Sequence, residues 1–259
     1  MVKIYYTVAS LALLFLAGFP GHAQESLTPT GLAWLAQTDM KGPVMVMDLV
    51  KFRPDGEKSY DEYDALAEAK LISLGGEVVF RGYTKLADGL DSSSYDGLDP
   101  TSWDRVTMRK YPTAKAVVEM GSSEEYRAAF PKRTQGVEKA LVYAFGSGSM
   151  RKVAVSDSPG TVYMLNLLRF KDEGGEAGYR DYGRSAMPVL VKSKARPVLD
   201  TRGLTPVISE EEMDRLILVK YASPETFLSM VRSADYRAVA HKRTDAIELG
   251  LLFPFSDRR

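Results

Sequence analysis

Val44-Met-Val-Met-Asp-Leu-Val-Lys-Phe52 and Val162-Tyr-Met-Leu-Asn-Leu-Leu-Arg-Phe170 are the two stretches from which the architecture can be read. Both are apolar, rich in β-branched or large hydrophobic residues, and of strand length. Side chains alternate along a strand, so Val162, Met164, Leu168 and Phe170 point one way and Tyr163, Leu165 and Leu167 the other. Both directions are apolar, and both must therefore be covered. One position on the first side breaks the pattern, with Asp48 in the earlier stretch and Asn166 in the later one.

Working outward, the likeness between the stretches extends over much of the chain. Tyr60-Asp-Glu-Tyr63 reads against Tyr179-Arg-Asp-Tyr182, and Arg81-Gly82 against Arg202-Gly203. Asp104-Arg105 with Lys110-Tyr111 reads against Asp214-Arg215 with Lys220-Tyr221. Tyr126-Arg-Ala128 matches Tyr236-Arg-Ala238, and Lys132-Arg-Thr134 matches Lys242-Arg-Thr244. This order predicts two tandem modules, at residues 43–147 and 161–256. A Gly-, Ser- and Pro-bearing linker spans 148–160 and an N-terminal extension spans 24–42.

Each module reads as β-α-β-β-α-β. Tyr60, Tyr63, Ala67 and Leu71 recur at helical spacing, as do Tyr179, Tyr182, Ala186 and Leu190. Pro188 is expected to kink or shorten the second of these helices. Second strands are predicted over 77–85 and 197–202, third strands over 104–111 and 215–221, and fourth strands over 137–145 and 247–255. Thr113 and Ser223 stand where helix N-caps belong. Two helices can cover one face of a four-stranded sheet. The expected cover for the other face is the sheet of the second module, packed sheet to sheet.

Composition limits the function classes. The chain has 259 residues, no cysteine, two histidines, and 34 Lys+Arg against 34 Asp+Glu. No global basic field or aromatic-interleaved basic stripe invites nucleic acid. Without cysteine, disulfides and thiolate metal sites are excluded, and no metal-ligand spacing, phosphate loop, GxGxxG or GxSxG is found. Lys3, the apolar run from Val8 to Phe19, the Pro20-Gly21 break and Gly21-His-Ala23 together have the layout of a secretory leader over residues 1–23. The run is short for a permanent membrane anchor, although an uncleaved anchor is the other reading. Cleavage removes Lys3, His22 and no acid, leaving an exported, periplasmic or secreted chain with one histidine, His241.

The pieces Leu165-Asn-Leu-Leu-Arg-Phe-Lys171, Tyr179 with Tyr182, Arg202-Gly203, Asp214-Arg-Leu-Ile-Leu-Val-Lys-Tyr221 and Ser233-Ala-Asp-Tyr-Arg-Ala-Val-Ala-His-Lys-Arg-Thr244 resemble the dimeric α/β-barrel superfamily. The likeness is to a branch known only as a domain of unknown function. It implies an α+β fold of two ferredoxin-like β-α-β-β-α-β modules, arranged as an intramolecular version of a barrel that most relatives build as homodimers. A monomer with pseudo-dimeric halves is then expected. Relatives include cofactor-free oxygenases, lactone isomerases, haem-dependent enzymes and proteins without known activity, so the fold leaves the function open.

Candidate site residues follow from chemistry that a pocket between sheet and helices would need. Asp48 and Asn166 are polar on an apolar face and need a partner or a ligand. Arg81 and Arg202 precede a glycine at a strand end, where a guanidinium could hold a carboxylate or enolate, or simply a surface carboxylate. Arg105, Arg215, Arg133 and Arg243 carry the same ambiguity. Tyr63 and Tyr182 offer hydroxyls from an apolar helix face, or pack as core. Trp103 and the matching Met213 line a wall or fill the core. His241, matched by Pro131, is a proton carrier, a haem ligand or a solvated helix residue. The reading that results is small-organic-molecule binding without catalysis and without a cofactor, through Asn166, Arg202, Asp48, Arg81 and Tyr63. The alternative is a cofactor-independent oxygenase or isomerase with His241 and Tyr182 moving protons.

Overall fold

The computed structural model describes residues 29–84, 103–209 and 211–259. The expected leader at 1–23 and Lys85, the expected end of the second strand, lie outside the described residues. The elements are α1 (Pro29–Gln37), β1 (Val44–Phe52), α2 (Glu57–Ser73), β2 (Glu77–Thr84), β3 (Arg105–Tyr111), α3 (Ala114–Ser122), α4 (Glu124–Gly136) and β4 (Val137–Ser149). They continue with β5 (Val162–Phe170), α5 (Gly175–Lys192), β6 (Arg196–Ile208), β7 (Arg215–Tyr221), α6 (Pro224–Arg232), α7 (Ala234–Ala246) and β8 (Ile247–Ser256). The fold is mixed α/β, with an antiparallel sheet in the order β1-β3-β2-β8-β5-β7-β6-β4 that closes because β4 pairs with β1.

A barrel made of two four-stranded sheets was expected, and the hydrogen-bonded order runs through all eight strands. Two strands are longer than predicted. β6 does not stop at Arg202 but continues through Gly203 to Ile208, and β4 continues past Phe145 to Ser149. That added length lets β4 and β6 be neighbours.

The contacts gather into two compact units. Unit 1 comprises the chain to Val79, Val106–Ser147 and Leu204–Glu212; unit 2 comprises Phe80–Arg105, Gly148–Gly203 and Met213–Arg259. In unit 1, α2 turns Tyr60, Tyr63, Ala67 and Leu71 into a core with Val44 and Val50 of β1, Val117 and Met120 of α3, and Val142 of β4. In unit 2, Tyr179, Val189 and the half-buried Tyr182 and Leu190 of α5 pack with Val162, Met164 and Leu168 of β5, Ile217 and Val219 of β7, and Phe227 and Met230 of α6. The opposite face of β5 is buried too: Tyr163, Leu165 and Leu167 are fully covered, with the Phe80 ring 5.0 Å from that of Tyr163.

Local signals set the helices. The Thr113 hydroxyl accepts the Ala116 N–H at 3.2 Å and the Ser223 hydroxyl accepts the Thr226 N–H at 3.2 Å, as the sequence predicts. Two further caps are as consistent. Ser123 accepts from Tyr126 N–H and Ser233 from Tyr236 N–H, and each cap fixes the start of the helix that carries a cavity tyrosine. Pro188 neither ends nor shortens α5, which runs on to Lys192. It sits on the exposed face, and the carbonyl it leaves unpaired belongs to the exposed Arg184, where water can serve it.

Gly203 is required by packing. A Cβ there would stand 1.6 Å from the Met213 carbonyl oxygen, beside the 2.7 Å bond from Gly203 N–H to the Asp214 carbonyl. Gly183, inside α5, has nothing within 4 Å of the same atom. Gly203→Ala is therefore expected to lower unfolding free energy by about 3 kcal/mol. Gly183→Ala is expected to raise it by about 0.5–1 kcal/mol, because a helix interior favours alanine. Urea titrations of both variants check the pair, and the opposite signs are the diagnostic.

Candidate functional site

Each unit holds a cavity between its sheet and its helices, and the two differ in how their polar residues are matched. In unit 1 the carboxylate of Asp48 lies on β1, only 3% exposed. Tyr60 of α2 donates its hydroxyl to Asp48 Oδ2 at 3.0 Å, and Arg133 of α4 donates to Oδ1 at 3.0 Å. Arg109 of β3 stands 3.7 Å from Asp48 and bonds directly to the buried Asp64 of α2. Two carboxylates thus face two guanidiniums, the arrangement that makes buried charge tolerable. Burial works against the charge of Arg109, but Asp64, Tyr60, Tyr63 and Asp48 together hold its pKa well above the usual value. The Tyr63 and Tyr126 hydroxyls share a hydrogen bond of 3.0 Å. What remains is a space of about 80 Å³, lined by Asp48, Tyr63, Arg109, Tyr126, Phe130 and Arg133 among others.

Unit 2 keeps the tyrosines and loses most of the charges. In the sequence register, Tyr179, Tyr182 and Tyr236 stand for Tyr60, Tyr63 and Tyr126, and Arg243 for Arg133. Asn166 replaces Asp48, Gly183 replaces Asp64, Val219 replaces Arg109 and Ala240 replaces Phe130. The cavity is about 250 Å³. Its walls include Met164, Ile217, Val219, Phe227, Met230 and Leu252. The polar lining is Asn166, the three tyrosines, and Asp200, Arg215, Arg243 and Arg180.

The polar groups are in different states. Tyr182 and Tyr236 share a hydroxyl bond of 3.1 Å. Burial, then the neighbouring Tyr236, pushes the Tyr182 hydroxyl well above the usual phenol range. Arg215 grips Asp200 through Nε and Nη2, both at 2.7 Å, and this bond raises the guanidinium pKa further. Asn166 donates to the Met164 carbonyl at 3.3 Å. The Tyr179 hydroxyl makes no hydrogen bond among the described residues, although the residue is 6% exposed and lines the cavity. Burial pushes its pKa up to about 12, against the opposing pull of Arg243 and Arg215.

The sequence-predicted residues divide accordingly. Asn166 and Tyr182 share the unit 2 cavity, and Asp48 and Tyr63 share the unit 1 cavity. Arg202 stands apart from both cavities. It projects from β6 with its side chain 67% exposed, in a 3.0 Å ion pair with Glu176, and lines neither cavity. Arg81 also lines neither. His241 is exposed on α7 and stands outside the cavity lining. Haem ligation through His241 inside the cavity does not fit for the same reason. Trp103 is core, with its ring edge-on to Phe253 at 6.3 Å, and Met213 is likewise buried. Among the described residues no group of three metal-ligating side chains occurs. Sequence reasoning passed over Asp64, Arg109 and Asp200. The alternate residues Arg105, Thr107 and Arg109 form a polar row on a buried strand, and that row was the signal available.

Comparison with known proteins adds a family-model match over part of the chain. Residues 161–253 match a domain of unknown function, DUF1330. No curated protein sequence matches the chain. Solved structures share the fold. A protein from Fusobacterium nucleatum proposed to be a monooxygenase is 10% identical over 83% of this chain and 92% of its own, with a TM-score of 0.55. An anthrone oxidase-like protein is 9% identical over 84% and 91%, with a TM-score of 0.57. A protein proposed to be a chlorite dismutase is 7% identical over 84% and 95%, with a TM-score of 0.52. Each shows that the chain has a fold of the ferredoxin-like α/β-barrel kind.

Two predictions follow from the paired charges and the buried hydroxyls. Arg109→Val and Asp64→Gly should each cost about 3–5 kcal/mol, because each strands a buried charge. The double variant should recover about 1–3 kcal/mol of the summed loss in a double-mutant cycle. The second prediction concerns alkaline pH. Unfolded tyrosines ionise near pH 10, whereas Tyr179 in the fold ionises only near 12, Tyr60 and Tyr182 later still, and burial likewise pushes Tyr63 up. Their contribution to stability is fully present below pH 10 and is lost as pH rises toward their folded values. The midpoint of urea unfolding should therefore fall between pH 10 and 12, with tyrosinate absorbance appearing together with unfolding.

Proposed function

We propose that this chain is an exported protein built from two versions of one β-α-β-β-α-β module, acts as a monomer, and binds a small organic molecule without catalysis in the unit 2 cavity. The observation that carries this reading is the contrast in volume and pairing. Where unit 1 fills its space with Arg109, Asp64 and Phe130, unit 2 has Val219, Gly183 and Ala240, and about 250 Å³ stays open against about 80 Å³. Apolar walls with a few convergent polar groups are the usual make-up of a ligand pocket.

The polar lining favours binding over chemistry. Asp200 is the carboxylate of the lining and is engaged by Arg215. Tyr182 is held neutral, and His241 stands outside. A general base poised near neutral pH is therefore not assembled among the described residues. The second reading, a cofactor-independent oxygenase or isomerase, draws on the donors Tyr179 and Arg243, which could stabilise an enolate of a substrate acidic enough to ionise by itself.

The test transplants the unit 1 filling. The double variant Val219→Arg/Gly183→Asp places the Arg109–Asp64 pair in unit 2. A thermal-shift screen of one- and two-ring organic molecules should give stabilising compounds for the wild type, since a ligand that binds only the folded state raises its stability. Those shifts should vanish in the double variant. Shifts of equal size in both proteins would place the binding elsewhere and end the proposal.

A further inference from the structure

Two properties of the unit 2 cavity together say what class of molecule fits it. The first is a surplus of hydrogen-bond donors. Tyr179 is more than nine-tenths buried, and its ring is held by those of Phe170 and Tyr182, each 5.3 Å away between centroids. Its hydroxyl meets no acceptor among the described residues and is not sealed by protein, so it opens onto the cavity. In unit 1 the matching hydroxyl, on Tyr60, is taken by Asp48. Asn166 stands at that position in unit 2 and turns its amide to the Met164 carbonyl instead. Tyr182 and Tyr236 add a second donor, because two hydroxyls that share one hydrogen bond use only one of their protons.

The second property is charge balance. Arg215 and Asp200 hold each other through two bonds of 2.7 Å, Arg243 has a partner within the protein, and Arg180 is exposed to water. An ion entering this space would shed its hydration without a countercharge to replace it. A pure hydrocarbon would cover the Tyr179 hydroxyl and leave it dry and unpaired. Resting on the small-molecule reading above, we propose that the unit 2 ligand is an uncharged molecule of about one ring that bears a carbonyl oxygen, and that Tyr179 donates its hydroxyl to that oxygen. A carbonyl oxygen accepts and does not donate, which matches a lining whose spare groups are donors. The ring lies against Met164, Ile217, Phe227 and Leu252. A cavity of about 150 Å³ holds benzene, so about 250 Å³ holds a ring with a short carbonyl substituent. Arg215, Asp200 and Asn166 keep their own places as walls.

The probes are acetophenone, toluene, which keeps the ring and lacks the acceptor, and the anion benzoate. Each is titrated into the full mature chain by calorimetry and by ligand-detected NMR. Acetophenone is expected to bind at least about tenfold more tightly than benzoate and about three- to tenfold more tightly than toluene. Tyr179→Phe should weaken acetophenone about three- to tenfold and leave toluene unchanged. That variant should unfold at the same urea concentration as the wild type or higher, since its hydroxyl has no partner in the fold. Tyr60→Phe, which takes a hydrogen bond from Asp48, should unfold at a lower one. Benzoate bound as tightly as acetophenone would overturn the uncharged class, and acetophenone bound equally by wild type and Tyr179→Phe would overturn the donor; the small-molecule reading survives both results. Stabilising compounds in the thermal-shift screen without acetophenone binding at about 1 mM would overturn this proposal alone, and a screen without stabilising compounds would overturn both.

Discussion

A carboxylate in the middle of a strand that is covered on both faces must find its countercharges inside the protein. Asp48 is in that position, and much of unit 1 is arranged around it. Taking an ion out of water costs several kcal/mol even after relaxation, and only close partners with hydrogen-bonding geometry offset it. The partners come from three elements: Tyr60 from α2, Arg133 from α4 and Arg109 from β3. Arg109 then brings a need of its own, which Asp64 meets. The cluster therefore forms as a set, and its bulk leaves little space beside it. One polar position on a strand thus accounts for both the charge pattern and the small volume of that cavity.

Unit 2 solves the same position the other way. With Asn166 in place of the carboxylate, a second guanidinium is not needed, and Val219 occupies its site. With no guanidinium at 219, a carboxylate on the helix would be stranded, and Gly183 stands there. The three differences are mutually consistent: any one alone would upset the balance of the buried charges. They explain why volume opens on that side, where the matching tyrosines have a different set of partners. Tyr182 and Tyr236 still pair with each other, as Tyr63 and Tyr126 do, because the Ser233 cap starts α7 at Tyr236 as the Ser123 cap starts α4 at Tyr126.

How much of this was legible in the sequence depended on whether the deciding physics was local. Strand alternation in 44–52 and 162–170, helical spacing of Tyr60, Tyr63, Ala67 and Leu71, and the hydroxyl caps at Thr113 and Ser223 are near-neighbour effects, and they appear as expected. The polar position Asp48/Asn166 was also visible, because a lone polar residue on an apolar face is a local anomaly. Arg202 and His241 lie outside both cavity linings, because residue type and neighbours do not reveal which way a strand-end or helix side chain leaves its element. Glu176 draws Arg202 outward from across a stretch of 26 residues, a contact that only folding makes. β6 was cut short because Gly203 reads as a breaker. In the fold it is a close approach of two backbones, and glycine is there to continue the strand rather than to end it.

The difference between Asp48 and Asn166 also bears on why the two cavities need not do the same thing. Asparagine and aspartate have nearly the same shape, so the exchange barely disturbs packing, yet it removes a full charge from a site of low polarity. In such surroundings a charge acts on its neighbours with far more strength than it would in water. In unit 1 the donors Tyr60 and Arg133 are already spent on the protein's own carboxylate, and any incoming acceptor would have to displace a covalently tethered competitor. In unit 2 the competitor is gone and the Tyr179 donor remains in place.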